Sequence, residues 1–160
     1  MVEFQLQELA AALDARLTGE NPGIRSVSTD SRSLQPGDLF VALQGPSFDG
    51  HDYVQAAVAR QAAAAVISRP VATSMPCLQV ADTRLALGRL AALWRDRAAA
   101  RVVAITGSNG KTTVKEMLAA ILAQQGPVLA TLGNLNNDIG LPLTLARLQE
   151  EEFAVVEMGA

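Results

Sequence analysis

Residues Gly107, Ser108, Asn109, Gly110, Lys111, Thr112 and Thr113 form the stretch "GSNGKTT", directly after the apolar run "VVAIT". A strand that ends in a glycine-rich turn and opens a helix aims several backbone N–H groups at one point, where the helix dipole adds positive potential. Such a point binds phosphate. Lys111 can reach the β- and γ-phosphates of a nucleotide as a point charge, the Thr112 hydroxyl is placed to ligate Mg²⁺, and Gly107 and Gly110 permit the tight backbone path. The usual phosphate loop has a glycine six residues before its lysine, a position held here by Ile105; in this chain the glycine comes four before. A dinucleotide-binding fingerprint would need glycine where Asn109 stands and has no use for Lys-Thr. The competing reading is a plain glycine turn between strand and helix, for which the Lys-Thr-Thr run is superfluous.

Two further groups belong to the same neighbourhood. In parallel sheets ligands sit outside the carboxyl ends of the strands, and "FAVVEM" puts Glu157 at such an end, where it either opposes Thr112 across a Mg²⁺ ion or faces solvent. Asn134, Asn136 and Asn137 in "TLGNLNNDIG" follow the intervening strand on the same edge, as turn residues or as substrate contacts.

The elements that must position these residues are legible as hydrophobic patterns. Leu6, Leu9, Leu13 and Leu17 have helical spacing, with Gly19 as the stop. "VSTDS" and "DLFVAL" read as strands around a Pro36-Gly37 turn, His51 to Ala65 as a helix, and "AAVIS" and "CLQV" as strands. Asp82 or Thr83 can cap a helix carrying Leu87, Leu90, Leu93 and Trp94. From Arg101 a β-α-β-α-β series follows. "VVAIT" is expected to be a parallel strand covered on both faces, then a helix with a stripe of Val114, Met117, Leu118, Ile121 and Leu122 stops at Gly126-Pro127. "VLAT", "IGLPLTLARL" and "FAVVEM" complete the series. The expected fold class is α/β: a small N-terminal α/β substrate-binding domain (1–82), a connecting helix (83–100), and the first part of a P-loop parallel-sheet ATPase domain (101–160). Three strands make a short sheet, so the chain is expected to continue beyond Ala160.

Composition excludes several classes. With 49% hydrophobic residues among 160, a packed core is affordable, and a net charge of −3 gives no basic field for nucleic acid. Cys77 alone permits no intrachain disulfide and reads as a buried thiol. The first residues lack a basic signal region, and no apolar run reaches the ~20 residues that span a bilayer. A cytoplasmic monomer without membrane insertion is the expectation. His51, the single histidine, reads as a helix-start residue, and Arg32 as an ion-pair partner of Asp30 or Asp38.

Read in order, "TGSNGKTT", "TLGNLNNDIGLPLTL" and "VVEMGA" resemble the Mur ligases, ATP-dependent amide-bond enzymes of peptidoglycan precursor synthesis whose phosphate loop is similarly shortened. "STDSRSLQPGDLFVALQGPSFDGHDYVQAA" resembles the uridine-nucleotide-binding domain of members that add the later peptide residues. Glu157 followed by Met-Gly-Ala is similar to the member that adds a dipeptide. The resemblance implies Gly107 through Thr113 as the ATP loop, with Lys111 catalytic in stabilising the transferred phosphoryl group, and Thr112 and Glu157 as Mg²⁺ ligands. It implies that Thr29, Ser31, Pro46, Ser47 and Phe48 contact the uridine diphosphate, and that Asn136 and Asn137 face the muramoyl part. The substrates implied are UDP-N-acetylmuramoyl tripeptide and D-alanyl-D-alanine. A diaminopimelate- or lysine-adding ligase, or a UDP-sugar-peptide binding module without catalysis, stays open. The family's further metal and substrate ligands, and its C-terminal domain, are missing here, so the chain by itself is expected to be inactive.

Overall fold

The structure is a computed structural model that describes residues 1–159. It forms two compact units, Glu3–Leu90 and Met1–Val2 with the residues from Ala91 on.

In the first unit, β1 (Phe4–Gln5) leads into α1 (Leu6–Leu13), where the Glu8 side chain accepts a hydrogen bond from the Gln5 N–H. This helix stops a turn earlier than the leucine spacing predicts. Asp14 takes a left-handed conformation, and Leu17 lies instead in β2 (Arg16–Thr18), paired antiparallel to β7 (Cys77–Gln79). Helical and strand placements can both shelter a leucine, and Leu17 is partly buried in the strand, so spacing alone did not separate them. β3 (Gly23–Ile24) pairs with β1. β4 (Ser26–Ser28), β5 (Asp38–Val41), β6 (Ala64–Ile67) and β7 run parallel, in the sheet order β2-β7-β6-β5-β4.

The expected helix from His51 to Ala65 is shorter than read. A 3₁₀ turn at Gly50–Tyr53 leads into α2 (Val54–Ala59), and Ala64 and Ala65 belong to the strand. Alanine is a strong helix former, but here the buried sheet centre overrides propensity. Val54 and Ala57 of α2 pack with Phe40, Ala65, Ile67 and Cys77 in one core cluster. Phe40 is 1% exposed, a burial that stabilises by roughly 1.5–3 kcal/mol. The Cys77 thiol donates to the Met75 carbonyl, and burial pushes its pKa up, as suits an inert side chain.

α3 (Thr83–Arg97) is capped by Asp82, whose Oδ1 accepts from the N–H groups of Arg84 and Leu85. The division between the units falls within this helix. In the second unit, β8 (Arg101–Ile105), α4 (Lys111–Leu122), β9 (Val128–Ala130), α5 (Gly140–Leu145) and β10 (Phe153–Glu157) build a parallel sheet of order β8-β10-β9. β10 is central and buried; β8 is not.

Two expectations fail here. β8 pairs with β10 alone, and Val102 and Val103 are 36% and 38% exposed rather than covered. The stripe on α4 is also turned: Val114, Met117 and Ile121 are exposed, whereas Lys115 is buried. α4 packs on β9 and β10, and Lys115 shares its face with Leu118 and Ala119 one turn on and Leu122 two turns on, all three partly buried.

Candidate functional site

The register of the second sheet sets Glu157 opposite Ile105, so the last residue of β10 stands beside the residue that leads into the glycine loop. The Met158 N–H donates to the Ile105 carbonyl and ties the two strand ends together. From there Gly107 has φ +143° and Gly110, immediately before α4, has φ +78°. Both values strain any residue with a side chain. They let the loop double back so that Lys111 starts the helix, whose first-turn amides have no intrahelical acceptors. The Lys111 Nζ donates to the Gly107 carbonyl at 2.6 Å, bridging the two ends of the loop.

Thr112, one residue into α4, donates its hydroxyl proton to Glu157 Oε1 at 2.8 Å. Glu157 is 1% exposed, and its Oε2 has no hydrogen-bond partner among the described residues. The Lys115 Nζ stands 3.6 Å away, an ion pair without a hydrogen bond, so this oxygen keeps a lone pair that a divalent cation can complete. Thr112 and Glu157 therefore fit a Mg²⁺ site of the kind that takes one or two protein oxygens and draws its remaining ligands from phosphate and water. Among the described residues no group of three or more His, Cys, Asp or Glu side chains could hold a metal.

The asparagines divide. Asn137 Oδ1 accepts from Gly140 N–H at 2.7 Å and Ile139 N–H at 3.3 Å, so it caps the entry to α5, which is turn chemistry. Asn136 accepts at its carbonyl from the Gly159 N–H, bringing its segment against the end of β10 beyond Glu157.

In the other unit Thr29, Ser31 and Phe48 line a cavity of about 460 Å³ together with Asp30, Arg32, Phe40, Gly50 and Tyr53. Pro46 and Ser47 are not among its lining; they occupy the loop closed by the hydrogen bond from Gly45 N–H to the Phe48 carbonyl. Phe48 and Tyr53 are each about half exposed, two aromatic faces at one opening. Arg32 pairs with Asp30 through two bonds of 2.9 Å, and this guanidinium holds the Asp30 carboxyl down to about 2. Of the two partners weighed for Arg32, Asp30 is therefore the one it takes. Sequence reasoning missed Tyr53 as a lining residue and Lys115 as a buried one. The signal for Lys115 was its three-residue spacing from Thr112.

His51 is more than a helix start. Its Nδ1 lies 2.6 Å from Asp49 Oδ1, and its Nε2 accepts the Ser68 N–H at 2.9 Å. With Nε2 accepting, the proton sits on Nδ1. Bonds from Arg69 and His51 hold the Asp49 carboxyl well below the usual range. Ser68 Oγ is 3.4 Å from Nε2, so serine, histidine and aspartate are in line. They do not form a hydrolytic site, because the lone pair that would take the serine proton is already used by a backbone amide.

Two family models match the chain: one described as "Mur ligase family, catalytic domain" over residues 23–95, and one as "Mur ligase middle domain" over residues 105–160. The chain belongs to the Mur ligase family. The UDP-N-acetylmuramoyl-tripeptide–D-alanyl-D-alanine ligase of Escherichia coli (strain K12) is 53% identical over 161 residues, which cover 100% of this chain and 36% of that protein. The structure of MurF from Acinetobacter baumannii matches with a TM-score of 0.90 and 43% identity, again over 100% of this chain and 36% of the other. A MurF ligase from Thermotoga maritima, solved in complex with ADP, matches with a TM-score of 0.74 and 37% identity, covering 84% of this chain and 32% of its own. The chain thus spans about a third of the length of these Mur ligases. The first family match contains the aromatic cavity, and the second contains the glycine loop, Asn136, Asn137 and Glu157. No helix among the described residues is long and apolar enough to cross a membrane.

Proposed function

We propose that this chain belongs to an ATP-dependent ligase that joins D-alanyl-D-alanine to UDP-N-acetylmuramoyl tripeptide, in the cytoplasm where both UDP-linked precursors and ATP are found. The observation that carries the reading is the 2.8 Å contact of Thr112 with a buried, half-satisfied Glu157 at the mouth of the Gly107–Gly110 loop.

Amide formation from a carboxylate in water is uphill, so the carboxyl oxygen needs conversion to a leaving group. In this reading the loop amides and Lys111 hold the ATP phosphates and stabilise charge on the γ-phosphoryl group as it passes to the terminal carboxylate of the tripeptide. The products of that step are an acyl phosphate and ADP. The dipeptide amine then attacks the acyl carbon, loses a proton and expels phosphate. Mg²⁺, held by Thr112 and Glu157, supplies neutralisation of phosphate charge when bound.

To reach ATP, Lys111 exchanges the Gly107 carbonyl for a phosphate oxygen. Phe48 and Tyr53 offer flat faces to uracil, Thr29 and Ser31 offer hydroxyls, and Arg32 supplies a cation for the diphosphate. Binding energy from this remote group orients the reacting end. Asn136 serves the muramoyl portion; Asn137 shapes the segment through its cap.

Phosphate release by a full-length ligase that carries this chain, measured with UDP-N-acetylmuramoyl tripeptide and each of D-alanyl-D-alanine, diaminopimelate and lysine, tests the proposal. Release dependent on the dipeptide is expected. Release dependent on either other amine would reassign the substrate. Calorimetric binding of the UDP-substrate with no phosphate release under any condition would leave a binding module.

A further inference from the structure

Lys115 has no exposed surface, and the nucleotide reading assigns it no role. Its Nζ donates to the Thr131 carbonyl at 2.7 Å and lies 3.5 Å from that of Gly133. It is also 3.1 Å from Glu116 Oε1 and 3.6 Å from Glu157 Oε2. A buried ammonium is expensive, and an apolar side chain of similar volume would fill the same space without that cost. Its contacts show what the charge arranges.

Thr112 and Lys115 are three residues apart and share one face of α4. That face gives a hydroxyl to Oε1 and an ammonium to Oε2 of the same carboxylate. The Glu157 backbone is held as well, since its N–H donates to Thr131 Oγ1 at 2.9 Å. Thr131, whose carbonyl takes the Lys115 bond, opens the segment that carries Asn134, Asn136 and Asn137. The Gly159 N–H returns to the Asn136 carbonyl at 2.8 Å. One side chain thus links the phosphate-loop helix, the metal carboxylate and the asparagine segment.

We propose that Lys115 is a positioning residue, a buried strut that aims the Glu157 carboxylate at the divalent cation and pins the first carbonyls of the asparagine segment. This rests on the reading of Thr112 and Glu157 as metal ligands. Partners that orient a metal ligand typically change metal affinity by about 10–100-fold when removed.

The test is Mn²⁺ binding to the full-length ligase that carries this chain, at saturating ADP, followed by electron paramagnetic resonance, in wild type, E157Q, K115M and the double variant. K115M is expected to weaken Mn²⁺ binding by about 10–100-fold while leaving metal-free ADP affinity unchanged. Because Lys115 acts through Glu157, K115M should cause no further loss in the E157Q background. The amides of residues 132–137 should exchange hydrogen faster in K115M. K115Q, read in the same way, replaces K115M if the latter does not fold. Wild-type Mn²⁺ binding in E157Q would remove the ligand reading and this inference with it. A loss in E157Q but none in K115M, additive losses in the double variant, or unchanged exchange at 132–137 would overturn this inference alone.

Discussion

At the scale of single residues, chemistry depends on which atoms already have partners. Lys111 bonds the Gly107 carbonyl, and in the proposed reading a phosphate oxygen of the nucleotide replaces that acceptor. Lys111→Ala should lower ADP affinity by about 10–100-fold, the worth of a charge-assisted hydrogen bond of ~1.5–3 kcal/mol. UDP affinity should stay unchanged, and calorimetry with each ligand checks both. Phe48→Ala should do the reverse, weakening UDP binding by about 1–3 kcal/mol through the lost stacking face and sparing ADP.

Asp30 gives a pH test at the same cavity. Its carboxyl is lowered from 3.8 to about 2 in the fold by Arg32. A depressed carboxylate contributes stability above its unfolded value and loses that contribution as pH falls through the folded one. The Asp30–Arg32 pair should therefore be intact above about pH 4 and open towards pH 2. An NMR titration of Asp30 should show this midpoint, returning towards 3.8 in Arg32→Gln.

At the scale of elements, hydrogen-bonding capacity sets the ends of helices and strands. The Asp49–His51–Ser68 bracket joins the 3₁₀ turn before α2 to the end of β6. His51→Ala would leave the Ser68 N–H without its acceptor and remove a buried ring. The expected cost is about 2–3 kcal/mol in urea unfolding, with ADP affinity untouched. α4 shows the opposite dependence: its existence was readable from helical spacing, but its orientation was not. An apolar stripe of Val114, Met117 and Ile121 reads as a core face, yet the fold buries Lys115 because Thr131 and Glu157 meet its ammonium there. Those partners lie 16 and 42 residues further along the chain, beyond any local pattern.

At the scale of the molecule, the exposed apolar side chains on β8 and α4 are a liability in water. Val102 and Val103 on β8 and Val114, Met117 and Ile121 on α4 are all exposed, and exposed apolar side chains promote association. The 160-residue chain is expected to bind hydrophobic dye and to self-associate at high concentration. Met117→Lys with Ile121→Lys should reduce both, as light scattering and dye fluorescence would register, without changing far-ultraviolet circular dichroism.

The sequence by itself determined the α/β class, the strand, glycine turn and helix around Lys111, and the family, because these depend on residues close together in the chain. Backbone dihedrals, turn glycines and strand periodicity are local properties. Which oxygen lacks a donor, which lysine is buried, which of two similar leucines leaves a helix for a strand, and which aromatic rings share a cavity were decided by the tertiary structure. Each of these depends on burial and on partners brought from distant positions, and desolvation assigns a cost only once the chain has closed around the group.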